Sequence, residues 1–229
     1  MRNPFQGLPV QNNAFVDRPG IMDKLNAALH RSTGGCKIVA LNGLGGMGKS
    51  QLMLRYCYVH LPEYKYVFWL NIEDQAAAVD SFAKLAINLG LDEESVKQLE
   101  KEGRTIEWVC SWLEKQTGWL LLLDNADDVM VRAIFKKLPR LGGSIILSTR
   151  EPVRRENAIV ISVDKMEEEE AISLLLDVPP NNLADQESTL LNEAKEVVLE
   201  VDCMPLAVDL ARAYVENTQT TFRQYLAAF

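Results

Sequence analysis

Residues 37–60 read KIVALNGLGGMGKSQLMLRYCYVH, and this stretch decides the fold. Within it Gly43, Gly48, Lys49 and Ser50 satisfy G-x-x-x-x-G-K-[ST], the phosphate-binding P-loop. The run before the loop, Lys37 to Leu41, is short and apolar, as a buried strand is. The run after it, Ser50 to His60, spaces its apolar residues as a helix does. Strand, glycine loop and helix in that order turn a pattern into a mechanism. The glycines let the backbone curl with N–H groups pointing inward, at φ values other residues avoid. The helix N-terminus adds partial positive charge. Lys49 is placed to reach the β- and γ-phosphates, and the Ser50 hydroxyl to take one Mg²⁺ position.

Two other readings compete for the same glycines. Gly43, Gly45 and Gly48 also satisfy G-x-G-x-x-G, a dinucleotide-binding turn, with Glu73 or Asp74 as its carboxylate at the end of the next strand. That reading leaves Lys49-Ser50 unexplained and has no use for Asp124. A glycine turn without a ligand costs backbone entropy at each glycine for no return.

Asp124 ends the apolar run Trp119-Leu-Leu-Leu-Leu-Asp124, the pattern of a strand buried on both faces of a parallel sheet. Ligands bind at the carboxyl ends of such strands, and after a P-loop this carboxylate holds Mg²⁺ directly or through water. Asp127 and Asp128 suit a cap for the next helix. Arg150 closes SIILSTR. It is either a solvent-exposed strand end or, if its strand lies beside the P-loop strand, a guanidinium aimed at the γ-phosphate. Arg154 and Arg155 read as a solvated turn.

The 229 residues are 48% hydrophobic and 24% charged, enough for a sizeable core. Lys plus Arg is 24 against 32 Asp plus Glu, a net charge of −8 that argues against a broad nucleic-acid surface. A nucleotide is still compatible, because screening beyond about 8 Å leaves the local loop in control. Cys36, Cys57, Cys110 and Cys203 are scattered, with no C-x-x-C pair and no histidine at metal spacing, and read as buried thiols of a reducing compartment. No run has the length of a membrane span, and MRNPFQGLPV lacks the apolar core of a signal peptide. A soluble cytoplasmic protein is expected. There is no N-K-x-D element, which favours adenine over guanine. His30 and His60 are the only histidines, both on predicted helices, so a Ser-His-Asp arrangement is unsupported.

Along the chain, residues 1–14 read as an extended lead-in, and a helix is expected from Ile21 to about His30 with Pro19 at its start. Strands are expected at 66–72, 119–124, 144–149 and 158–163, alternating with helices at about 75–90, 92–101, 105–117 and 127–138. Trp108 and Trp112 read as packing residues. After about residue 165 everything reads helical. Glu167 to Glu170 fall in a first helical turn, where the dipole stabilises carboxylates. Helices follow at about 184–202 and from Pro205 to Asn217, and TFRQYLAAF starts another without a cap, as if cut from a longer chain.

GLGGMGKSQL, VFWLNIED, LLLLDNADD, SIILSTR and CMPLAVDLA stand here in the order found in NB-ARC nucleotide-binding domains. The resemblance spans about Phe15 to Val215. It is to the STAND class of signalling ATPases, which includes plant resistance proteins, the apoptosome scaffold and fungal NOD-like receptors. DNADD with VDCMPLAVDLARAYV looks most like the fungal branch. The resemblance implies that Val16 (backbone) and Arg18 hold adenine. It assigns the phosphates to Gly43, Leu44, Gly45, Gly46, Met47, Gly48, Lys49, Ser50 and Gln51. It makes Arg150 the γ-phosphate sensor and packs Pro205 on the base, with Asp209 one turn further along. ADP or ATP with Mg²⁺ on Ser50 and Asp124 then bridges two domains, and exchange reorients them. Asn125 stands where many relatives carry a second Asp, which weakens the case for efficient hydrolysis. Winged-helix, effector and repeat domains would lie outside this chain. The family pattern implies oligomerisation of the full-length protein on activation, with this fragment monomeric.

The expected fold is therefore an α/β P-loop domain over 1–160, a five-stranded parallel sheet flanked by helices, followed by a small all-helical domain over 161–229. The expected function is an ADP/ATP switch in an intracellular NOD-like receptor that controls oligomerisation in innate immunity or programmed cell death, and at most a slow ATPase with Lys49, Asp124 and Arg150 in the catalytic roles. The rivals are a turnover ATPase of the AAA-like class and a P-loop kinase.

Overall fold

A computed structural model describes residues 3–12, 14–30, 35–127, 134–153 and 158–228. In chain order these form strand β1 (Phe5–Gln6), helix α1 (Pro19–Leu29), β2 (Lys37–Asn42), α2 (Lys49–His60), β3 (Tyr66–Asn71), α3 (Gln75–Asn88), α4 (Glu93–Lys101), α5 (Thr105–Glu114), β4 (Trp119–Asp124), β5 (Gly143–Thr149) and β6 (Ala158–Ser162). Then come α6 (Glu168–Leu176), α7 (Ser188–Glu200), α8 (Pro205–Thr218) and α9 (Phe222–Ala228). Short 3₁₀ turns occupy Leu61–Glu63 and Pro180–Asp185. The middle of the helix expected over 127–138, including Asp128, and the turn with Arg154 and Arg155 lie outside the described residues.

The sheet has six strands in the order β1-β3-β4-β5-β2-β6, every pair parallel. Five were expected. The extra one is β1, whose two residues pair with Val67 and Phe68. Its Phe5 has too little neighbouring apolar sequence to announce a strand, so only the exposed edge of β3 calls it into being. The expected lead-in is thus partly sheet.

Register sets the site. Asn42 pairs with Thr149 and Asn71 with Asp124, so the carboxyl ends of β2, β3, β4 and β5 finish along one edge. β5 lies between the P-loop strand and the Asp124 strand. This puts the strand that leads into Arg150 beside the P-loop strand.

Burial explains the uninterrupted apolar strands. Trp119 and Leu120 to Leu123 are wholly buried, each such side chain contributing roughly 1.5–3 kcal/mol relative to an exposed one. One face of the sheet packs on α3 and α5, with Phe68, Phe82, Val109 and Leu113 at its centre. Trp108 and Trp112 pack against that cluster, as expected of packing residues. The other face packs on α1 and α2 through Leu25, Leu41, Leu52 and Tyr56. A third cluster joins α6, α7 and α8 through Leu175, Val198 and Val208, and it takes in Val16 from before α1. Packing passes from the second cluster to the third between Val163 and Met166. Cys57, Cys110 and Cys203 are buried and Cys36 partly so; burial pushes Cys57 and Cys110 each up to about 12. Among the described residues no helix is long and apolar enough to cross a membrane.

Candidate functional site

The loop between β2 and α2 is held at both ends. The Gly43 N–H donates to the Thr149 carbonyl at 3.2 Å, fixing the loop to the end of β5. A Cβ on Gly43 would collide with the Val163 carbonyl oxygen, so glycine is required for close approach. At the far end Gly48 caps α2 with φ 80°, a left-handed conformation that leaves the first N–H groups of the helix facing outward.

Lys49 opens α2 and folds back across the loop, its Nζ donating to the carbonyls of Gly43 and Leu44, both at 2.7 Å. Burial lowers the pKa of this ammonium, and Arg150 adds to the lowering while Asp127 and Asp124 oppose it. The Ser50 hydroxyl donates to Asp124 Oδ1 at 2.7 Å. That same oxygen accepts from Ser148 Oγ at 2.5 Å and from the Asn125 N–H at 3.1 Å. Asp124 is only 8% exposed and sits behind Ser50. By donating its proton to Asp124 the Ser50 hydroxyl keeps its lone pairs free toward the cavity, where they suit a hard cation such as Mg²⁺, with Asp124 orienting it from behind.

Arg150 is positioned by Asp127, whose carboxylate accepts from the Arg150 N–H and from Nε, both at 2.6 Å; the start of the helix it was expected to cap lies outside the described residues. Burial alone would raise the Asp127 carboxyl, but the hydrogen bonds and charge of Arg150, helped by the charge of Lys49, hold it below the ordinary carboxylate value. Arg150 keeps an exposed guanidinium face.

The second wall comes from outside the sheet. Pro205 starts α8, where its missing N–H costs nothing. The next N–H, of Leu206, donates to the Gly46 carbonyl at 3.1 Å. Arg18 ties the pieces together. It is 7% exposed, and its guanidinium donates to the carbonyls of Met47 (3.3 Å), Asp164 (3.0 Å) and Lys165 (2.8 Å), with Glu170 Oε2 3.3 Å from Nε. Glu167 is the N-cap of α6 and Glu168 to Glu170 fill its first turn, and Glu170 serves this contact as well.

These elements enclose a cavity of about 540 Å³, within the range of small-molecule sites. Of the residues expected at the site, Gly45 to Gln51, Val16, Arg18, Arg150, Pro205 and Asp209 line it. Gly43, Leu44 and Asp124 do not: Leu44 points to solvent at 69% exposure, Gly43 contributes only backbone, and Asp124 acts through Ser50. The sequence reading did not place Phe15, Ser148, Met166, Leu174 or Leu206 on the wall. Ser148 was findable, since alternation along a strand puts it on the same side as Arg150. Of the two carboxylates weighed at the end of β3, Asp74 caps α3 by accepting from the Ala77 N–H at 2.8 Å, while Glu73 is on the wall. The polar and charged groups of the wall lie mainly on the loop and strand ends. The apolar contributions come from Phe15, Val16, Met166, Leu174 and Pro205, a surface suited to a flat ring.

A parallel sheet carrying G-x-x-x-x-G-K-S at its carboxyl edge, with a buried strand-end Asp on the loop's serine, defines a P-loop protein. The NB-ARC domain family model matches residues 18–182, and the chain belongs to that family, whose domains bind nucleotide. It is 24% identical, over 96% of its length, to a nucleotide-binding leucine-rich repeat (NLR)-like protein of the fungus Hyaloscypha variabilis, and it spans 24% of that relative. Its fold is similar to the crystal structure of a STAND protein with a tetratricopeptide repeat sensor from Pyrococcus horikoshii, with TM-score 0.58 and 19% identity over 88% of this chain and 30% of that one. It is also similar to PCH-2 of C. elegans, with TM-score 0.57 and 13% identity over 93% of this chain and 67% of that one.

Proposed function

We propose that this chain is the ADP/ATP-binding switch of an intracellular NOD-like receptor, with residues 1–160 and 161–229 as two domains that the nucleotide holds together. The observation that carries the reading is the shared cavity wall. The same opening is lined by the P-loop and by Pro205 at the head of α8, and the two are joined by the Leu206–Gly46 hydrogen bond. A ligand there touches both halves, so a change in its phosphates changes what α8 rests on.

In this reading Lys49, the loop N–H groups and Arg150 hold the phosphates, and Ser50 with Asp124 holds Mg²⁺, which neutralises phosphate charge when bound. Val16 and Pro205 flank the adenine. Hydrolysis is slow. Asn125 cannot take up a proton, and the Asp127 carboxylate is engaged by Arg150 and is a weak base. Slow turnover lets each state persist long enough for a partner to read it. Oligomerisation and control of immunity or cell death belong to the full-length receptor.

The test is the identity of the nucleotide that travels with the purified chain, released by denaturation and resolved by ion exchange. ADP or ATP near one equivalent is expected. A guanine nucleotide, or none together with no binding of added ADP, would overturn the reading.

A further inference from the structure

The chain's two histidines lie 30 residues apart in sequence and meet in space. His30 is the residue after the last turn of α1, and His60 is the last residue of α2. Their rings are 5.5 Å apart between centroids. Glu63, from the 3₁₀ turn that follows α2, lies between them, with Oε2 3.1 Å from His30 Nε2 and Oε1 2.7 Å from His60 Nδ1. The ligating atoms of the three side chains all lie within 4.8 Å of one another, and among the described residues no other set of three His, Cys, Asp or Glu side chains does so.

The hydrogen bonding around the cluster suits a cation. His30 Nδ1 is 2.9 Å from the Asn26 carbonyl, which can only accept. In a neutral His30 the ring proton therefore sits on Nδ1, and the lone pair on Nε2 faces a carboxylate oxygen. Two lone pairs 3.1 Å apart repel unless a proton or a metal ion stands between them. An imidazole whose second nitrogen donates to a backbone carbonyl is the usual arrangement of a metal-bound histidine. His60 is fixed by stacking on Tyr56 at 4.4 Å. Its Nε2 is buried with no hydrogen-bond partner, leaving Nδ1 as the nitrogen turned to the cluster. Two helices also end here, and each C-terminus carries partial negative charge. The His30 and Glu63 side chains are each 51% exposed, so water can complete a fourth position.

We propose that His30, His60 and Glu63 form a binding site for a Zn²⁺-class divalent transition-metal ion, which clamps the carboxyl ends of α1 and α2. Two imidazoles and one carboxylate select a borderline cation over Mg²⁺, and three ligands with one open position match the coordination zinc accepts. Tetrahedral ligands at 2.0–2.1 Å lie about 3.4 Å apart, so modest rotation of the two exposed side chains closes the site. It is distinct from the Mg²⁺ position, since the length of α2, roughly 18 Å at 1.5 Å per residue, separates the two. Folding brings the ligands together, so the ion binds the native state and stabilises it.

The experiment is calorimetric titration of the 229-residue chain with ZnCl₂ under reducing conditions, with thermal melts in parallel. One Zn²⁺ per chain is expected, with a melting temperature raised by several degrees near saturation and no displacement by millimolar Mg²⁺. His30→Gln and Glu63→Gln, both half-exposed and so compatible with folding, should each weaken binding at least about tenfold. Cys36→Ser should leave it unchanged. Absence of saturable Zn²⁺ binding overturns the proposal. So does binding that survives both cluster variants, or that disappears with Cys36→Ser.

Discussion

The P-loop and the turn that precedes α8 solve the same backbone problem with different residues. Gly46 and Gly48 carry φ of 80°, where glycine has no side chain to clash. Asp202 and Cys203 carry φ of 52° and 50°, consecutively, with side chains attached. The second turn accepts that strain because its side chains have work elsewhere. Cys203 is buried in the helical cluster, its N–H donates to Val198 and its carbonyl accepts from Met166. Asp202 pairs with Lys165 at 2.5 Å. One turn is shaped for a ligand and the other for packing, and they meet where Leu206 donates to Gly46. The difference teaches that a left-handed turn advertises itself in sequence only when its residues have nothing else to do.

If the glycine turn carries the binding and the second turn only presses on it, the largest effect belongs to Lys49→Ala. ADP affinity should fall about a thousandfold, as when a desolvated charge contact to a ligand is truncated, while Leu206→Ala should cost less than about tenfold. Isothermal titration checks both. Comparable losses would mean the two turns share the binding equally and would break the distinction.

Next comes Arg18, which spans both regions. Arg18→Ala strips the Met47, Asp164 and Lys165 carbonyls of their donor and leaves Glu170 without its cation. Loss of one partner from a mostly buried pair of this kind costs about 3 kcal/mol, read as a lower urea midpoint at unchanged slope. Arg18→Lys should recover only part, because one ammonium cannot reach three carbonyls and a carboxylate.

The sequence made the glycine side of this comparison legible and hid the other. The P-loop and Asp124 declare themselves because each sits at a fixed offset on a strand or helix with a strong local pattern, whereas spacing alone leaves Arg150 between a solvent-exposed strand end and a phosphate contact. The Asp127–Arg150 pair does not declare itself, since an Asp three residues past a strand looks the same whether it caps a helix or holds an arginine across the sheet edge. β1 was hidden for a related reason: two residues have no periodicity, and their pairing depends on β3 being there. The His30–His60–Glu63 cluster was invisible because spacing rules assume ligands on one element, whereas these come from the ends of two helices. Arg18 was placed at the adenine by resemblance; its buried bonds to three carbonyls show a clamp that no local motif encodes.

Gly46→Ala is the next smaller test. A Cβ there would stand 3.0 Å from Leu206 Cβ at a left-handed φ, so the substitution combines backbone strain with a close contact. A loss of about 1–2 kcal/mol is expected, together with weaker ADP binding, because α8 must move off the loop. A variant with unchanged urea midpoint and affinity would show that the two turns do not bear on each other.

The smallest effect is the sharpest in sign. Cys203→Ala removes the sulfur from a buried site but keeps a Cβ at φ 50°. Cys203→Gly removes the sulfur and the Cβ together. In ordinary helix or strand positions glycine is the less stable of the two by about 0.5–1 kcal/mol, through its greater freedom in the unfolded chain. At a left-handed position that order reverses, because the alanine Cβ crowds the following carbonyl at a cost of roughly 1–2 kcal/mol. The Gly variant should therefore be the more stable, with the two effects partly cancelling to a net difference of about 1 kcal/mol. At this chain length that is a separation of roughly 2–4 °C between the two melting temperatures. Both variants lose the same thiol, so its burial drops out of the comparison, and the Cβ with its strain and the backbone remain. Alanine more stable than glycine would mean the turn relaxes out of the left-handed region once the thiol is gone, and that packing of Cys203 alone holds it there.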